Sequence, residues 1–167
     1  TDIGAERQAE VAAWAADSGA LLIADEVFRD LHFGGERANA RADGATRAAP
    51  DSFLKNPGPE RAAILGSLSK SFISGLRVGW IVTSEERVRE LAQIKKSTDL
   101  GCPPLMQGIA QAFLEDPSGY RAHRARIRTH YRALRDETLA ALERHMPEGV
   151  SWTRPEGGFQ LQVTLPA

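Results

Sequence analysis

Apolar and polar positions recur along this chain at two different periods. Over residues 5–18, Val11 and Trp14 repeat at helical spacing among alanines, and Gly19 supplies a stop, so the pattern predicts a helix. The run 20–24, Ala-Leu-Leu-Ile-Ala, is short and continuously apolar. That is the pattern of a strand buried on both faces, as in a parallel sheet. It ends at the acidic pair Asp25-Glu26. Ala62-Ala63-Ile64-Leu65 predicts a second such strand, and 78–83 (VGWIVT) a third. Thr83 and Glu86 have the spacing of a capping box, ahead of a helix whose apolar face is Val88, Leu91 and Ile94. Pro103-Pro104 opens another helix running to about Glu115. Residues 118–146 carry the longest helical pattern, with Tyr120, Ile127, Tyr131, Leu134, Leu142 and Met146 on one side and Pro147 and Gly149 at its end. The stretches 150–153 and 159–165 predict an antiparallel hairpin joined across Pro155 and Gly157-Gly158.

Residues 34–61 show no sustained period and read as a long loop with room for a short helical piece. The character of the pattern changes near residue 117. Helix and buried strand come before it, one long helix and a small sheet after it. The expected division is therefore 1–117 and 118–167. There is no internal repeat.

Composition narrows the function classes. The 167 residues are 42% hydrophobic and 26% charged, enough to bury a core and unlike a disordered tail. A formal net charge of -1 gives no long-range attraction to nucleic acid or to an anionic membrane. Cys102 is the single cysteine, which fits a reducing, cytoplasmic location. No apolar run is long enough to span a bilayer. The opening TDIGAERQAE is polar, lacks a starting methionine and does not read as a signal peptide. The chain stops just after a strand-like run, and a piece of a longer protein is expected.

The candidate chemistry lies in residues 66–80, GSLSKSFISGLRVGW. In open α/β sheets ligands bind beyond the carboxyl ends of the strands. Asp25 and the turn holding Ser67, Ser69 and Lys70 both follow predicted strands. Two hydroxyls, the turn amides and the Arg77 guanidinium make a phosphate-binding set. The order G-x-x-x-x-G-K-[ST] of a nucleotide loop is absent, which argues against ATP chemistry. A lysine, a phosphate cradle and an aspartate on a separate strand suit pyridoxal phosphate. Its aldehyde takes an amine, and its ring nitrogen pairs with a carboxylate.

These residues resemble a known family. S-L-S-K-S-F-I-S-G-L-R-V-G-W is similar to the S-x-S-K-x-x-x-P-G-L-R-x-G-W signature of the fold type I, pyridoxal-phosphate-dependent aminotransferases of class I and II. A-D-E-V-F-R-D-L-H-F-G-G-E-R resembles the segment carrying that family's pyridine-binding aspartate. R-P-E-G-G-F-Q-L-Q-V-T-L-P resembles its P-x-G-G-x-F strand. The wording is nearest to the aminoadipate and aromatic aminotransferase branch and to MocR-type regulators, which join such a domain to a DNA-binding one. The resemblance covers nearly all of this chain, and the chain covers less than half of a complete member.

The resemblance implies an α/β fold: the C-terminal part of a large, mostly parallel-sheet domain, then the start of a smaller α+β domain. It implies Lys70 as the Schiff-base lysine and proton carrier, Asp25 on the pyridine nitrogen, and Ser67, Ser69 and Arg77 on the phosphate. Phe28 falls where the family has a tyrosine that hydrogen-bonds the ring oxygen, which phenylalanine cannot do. Ser74 replaces a usual proline. The stacking aromatic, the glycine-rich phosphate turn and the cofactor asparagine are expected upstream, and the substrate-carboxylate arginine downstream. The implied partners are an amino acid, a 2-oxo acid and a second copy in a homodimer. Nucleic acid enters only if an upstream DNA-binding domain is attached, which is the regulator alternative. Decarboxylase or lyase use of the same cofactor is a third reading.

Plainer roles stand beside these. Lys70 alone would be a solvated loop lysine, Glu26 a strand-end turn residue, and Phe28 a packing residue. The arginines of RAHRARIRTHYRALR read as the solvated face of a long helix. His123 and His130 lack the spacing of two metal ligands on one helix face, so no metal is expected. Trp14, Trp80 and Trp152 are expected in the core.

Overall fold

The computed structural model describes residues 3–34, 51–55 and 61–166. The chain forms two compact units, one of Asp2–Val27 with Pro50–Tyr120, the other of Phe28–Ala49 with Arg121–Ala167.

In the first unit, α1 spans Ala5–Ser18 and stops at Gly19, whose φ of 69° is the left-handed cap glycine accepts readily. Its buried face is Gln8, Ala12 and Ala15, while Trp14 is 66% exposed. This corrects the expectation built on Val11 and Trp14. Alanines allow close approach, and the Gln8 amide fixes that face inward by donating to the carbonyls of Ile3 and Asp51, each at 3.0 Å.

Three strands follow: β1 (Leu22–Asp25), β2 (Ala62–Ser67) and β3 (Gly79–Val82), in the spatial order β1-β2-β3. β1 lies parallel to β2, with Leu22 opposite Ala62 and Asp25 opposite Leu65. β3 lies antiparallel to β2, with Gly66 opposite Trp80 and Ser67 opposite Gly79. The described sheet is thus mixed, where a mostly parallel one was expected. The link from Ser67 to Gly79 holds only a 3-10 turn at Ser74–Leu76. A parallel return needs a longer crossover, commonly a helix.

Ala24, Phe53, Ala62 and Ile64 form one core cluster, joined by Leu22. Ile23 is 62% exposed, so β1 alternates and is not buried on both faces as its apolar run implied. From the long aperiodic stretch, 35–50 and 56–60 lie outside the described residues. Phe53–Lys55 form a 3-10 turn held by Glu26, whose Oε1 accepts from Ser52 Oγ at 2.9 Å and Phe53 N at 2.8 Å.

α2 spans Glu85–Thr98 and has no buried residue. Its cap is Ser84, whose Oγ accepts from Arg87 N, and not Thr83. Thr83 stays with the sheet and donates to the Ala62 carbonyl at 2.8 Å. α3 spans Pro104–Leu114 with Pro104 in its first turn. Against it a second cluster gathers Leu68, Leu76 and Ala110, with Phe72, Val78, Met106 and Phe113 packed around them. The Phe72 and Phe113 rings stack at 3.7 Å.

α4 spans Pro117–His145. In the second unit it precedes an antiparallel pair, β4 (Ser151–Trp152) and β5 (Val163–Thr164). The segment after Phe28 is a 3-10 turn, Arg29–Leu31, followed by a bridge from His32 to Gly157. A Cβ at Gly157 would sit 2.8 Å from the His32 Cα, so only glycine permits that approach. Here the helix arginines correct the solvated-face expectation. Arg124 pairs with Asp30 at 2.7 Å, with side chains 9% and 21% exposed. Arg128 Nε donates to the Asp30 carbonyl at 2.7 Å, and Arg135 Nη1 to the Pro155 carbonyl at 2.5 Å. The Arg135 guanidinium also covers the Phe33 ring at 4.8 Å. Short irregular segments leave carbonyls outside a ladder, and these cations satisfy some of them. Arg121, Arg126 and Arg132 face solvent. Among the described residues no helix is long and apolar enough to cross a membrane.

Candidate active site

The parallel register of β1 and β2 sets two sequence-distant groups at one edge of the sheet. Asp25 closes β1 opposite Leu65, and β2 runs only two residues further, to Ser67. Strand alternation puts Asp25, Leu65 and Ser67 on one face and Ala24 and Ile64 on the other. The second face carries the first core cluster, which leaves the acid and the hydroxyl pointing away from it. Asp25 is exposed, and its Oδ1 accepts from Val27 N at 3.1 Å, an Asx turn that fixes the carboxylate at the strand mouth.

The segment after β2 is held from beneath and polar above. Leu68 is fully buried and Leu76 is 3% exposed, both against α3. Lys70 and Arg77 are exposed. Ser67 Oγ accepts from Ser69 N at 3.0 Å and donates to the Val78 carbonyl at 3.2 Å. Leu68 N donates to the same carbonyl at 3.1 Å. Ser67 therefore closes the loop on itself, and its one hydrogen is engaged. Ser69 differs: its Oγ accepts from Arg77 Nη1 at 3.3 Å and keeps its own hydrogen to give. Arg77 Nη1 also reaches the Ser74 carbonyl at 3.4 Å.

Arg77 adopts φ 55° and ψ 35°, the left-handed region. For a side chain with a Cβ this costs about 1–2 kcal/mol. The turn it makes folds the guanidinium back over Ser69. Both contacts use Nη1, so Nε and Nη2 face no acceptor among the described residues. A hydroxyl hydrogen beside a partly engaged guanidinium suits a phosphate. An exposed amine, Lys70, and a separate carboxylate, Asp25, lie at the same sheet edge, and these are group types that suit pyridoxal phosphate. Phe28 belongs to the second unit, where its ring meets Phe159 edge-on at 5.4 Å. No group of His, Cys, Asp and Glu among the described residues could hold a metal ion.

Sequence reasoning missed the apolar underside of the loop. Leu68, Phe72 and Leu76 recur every four residues, a visible signal that the serines and glycines around them obscured. It also missed Glu26 as the anchor of the 52–55 turn.

The chain as a whole is similar to known proteins. The family model "Aminotransferase class I and II" matches residues 1–167. An aromatic-amino-acid aminotransferase of Thermococcus litoralis is 34% identical over 147 residues, covering 87% of this chain and 32% of its own. The uncharacterized HTH-type transcriptional regulator YdfD of Bacillus subtilis is 37% identical over 101 residues, 60% of this chain and 21% of its own. The crystal structure of LysN, an α-aminoadipate aminotransferase of Thermus thermophilus complexed with N-(5'-phosphopyridoxyl)-L-leucine, superposes with a TM-score of 0.83 at 29% identity. That likeness covers 96% of this chain and 39% of LysN.

Proposed function

This chain belongs to the class I and II aminotransferase family, and on that premise we propose that the polypeptide carrying it moves an amino group between an amino acid and a 2-oxo acid. The family depends on pyridoxal phosphate. The observation that carries the reading is the β1–β2 register, which sets Asp25 at the same sheet edge as the Ser67–Arg77 loop. Bound there, the cofactor supplies an electron-withdrawing ring that lets a proton leave the α-carbon of the amino acid. The residues of this chain do the rest. Lys70 Nζ would hold the cofactor through its aldehyde carbon, with water leaving, and, freed when the substrate's amine takes that place, would carry the proton away from and back to carbon. Asp25, oriented by Val27 N, holds a proton on the ring nitrogen. Ser69 and Arg77 hold the phosphate. Ser67 keeps the loop closed through Val78 and reaches the phosphate only by releasing that carbonyl. The reading extends to a cytoplasmic homodimer in which the remaining site residues come from outside this chain.

Lys70 provides the test. The polypeptide should absorb visible light with cofactor bound, and borohydride should fix the label on the peptide centred on Lys70. Lys70→Ala should lose both the label and amino transfer. A label on another lysine refutes the assignment. A second reading, a regulator that senses a ligand through the same site, is favoured by the likeness to YdfD. DNA-binding helices on the same polypeptide, together with cofactor binding but no turnover, would decide for it.

A further inference from the structure

We propose that Gly66 and Trp80 form a positioning couple that sets the seat of the Ser67–Arg77 loop and hence its grip on the cofactor phosphate, an inference that rests on the reading above. The two residues are direct cross-strand partners on β2 and β3. A Cβ placed at Gly66 would lie 2.3 Å from the Trp80 indole Nε1 and Cε2 and 2.5 Å from Cζ2. The ring therefore occupies the space a side chain at 66 would need. Trp80 is 43% exposed, and its ring lies over this bare stretch of backbone. An aromatic laid over a strand glycine is a known means of pinning register. A second close approach lies beside it, because a Cβ at Gly79 would come within 2.9 Å of the Gly66 carbonyl oxygen.

The consequence reaches the loop within one residue on each strand. Ser67 follows Gly66 directly and stands opposite Gly79. The Val78 carbonyl, next to Gly79, takes hydrogen bonds from Ser67 Oγ at 3.2 Å and Leu68 N at 3.1 Å. A methyl at 66 must displace the indole or push β3 away from β2. Moving β3 takes Val78 from its two donors and opens the loop from which Ser69 and Arg77 present their donors. The couple lies on the face opposite Asp25 and Ser67, so it acts through the loop and not by touching cofactor.

The test is a double-mutant cycle in the polypeptide carrying this chain, read by pyridoxal phosphate titration through visible absorbance and by thermal melting without cofactor. Gly66→Ala should weaken cofactor binding about tenfold or more. Adding Trp80→Ala should restore affinity to that of Trp80→Ala alone, because the removed ring leaves room for the methyl. Affinity of Gly66→Ala within about twofold of the parent, or no recovery in the double variant, overturns the proposal. Should Gly66→Ala fail to fold, a double variant that folds and binds supports it. A double variant that stays unfolded, or folds without binding, overturns it. Failure of the parent to bind pyridoxal phosphate would instead strike the functional reading.

Discussion

Asp30 holds two arginines at once. Its carboxylate pairs with Arg124 at 2.7 Å, and its carbonyl accepts from Arg128 at 2.7 Å. Removing one partner of a buried pair leaves a charge uncompensated, at a cost of about 3–5 kcal/mol. Asp30 is one-fifth exposed, so solvent screens part of that. Asp30→Ala is expected to destabilise by about 2–3 kcal/mol in urea unfolding, and a loss under about 0.5 kcal/mol would show the pair to be solvent-screened. The sequence could not disclose this role. The six arginines between 121 and 135 look alike along one helix until the chain that passes beside three of them is known. The grouping of Lys70, Ser69 and Arg77 on one loop was legible for the opposite reason: they follow one another along a single short segment, and order is what a sequence displays. Trp14 misled because size was taken for burial, whereas alanines build the inner face of α1.

At the scale of elements, apolar runs located every strand of the sheet, and the proline pair and Gly19 located helix ends. Strand direction was less visible, since an apolar run reads the same both ways. The information lay in the short link from β2 to β3. That link is also where packing and chemistry meet. Leu68 is fully buried between Ser67 and Ser69. Leu68→Ala should cost about 2–5 kcal/mol by cavity formation. It should also raise the dissociation constant for pyridoxal phosphate more than Phe53→Ala does, since Phe53 lies in the other core cluster. Melting curves and cofactor titration on the two variants check this. Equal losses of affinity would mean that the loop does not transmit its own packing.

For the molecule as a whole, the chain spans 32% of the length of its Thermococcus litoralis relative and 39% of LysN. Ile23, Trp80, Ile81 and Val82 are between 37% and 62% exposed on its sheet. Residues 1–167 made alone should therefore associate with rising concentration and hold pyridoxal phosphate weakly, which sedimentation and titration would read together. A monomer binding cofactor tightly would show the module to be sufficient by itself. The same exposure marks α2. With no buried residue, its opening breaks little beyond its own backbone hydrogen bonds, and a 14-residue helix of this kind is marginal in isolation. Its amides should exchange with deuterium well before those of β2, and trypsin should cut after Arg87, Arg89, Lys95 or Lys96 before it cuts after the buried Arg124 of α4. In the longer polypeptide, slow cleavage at those bonds would report how firmly other parts of the protein close over Val88, Leu91 and Ile94.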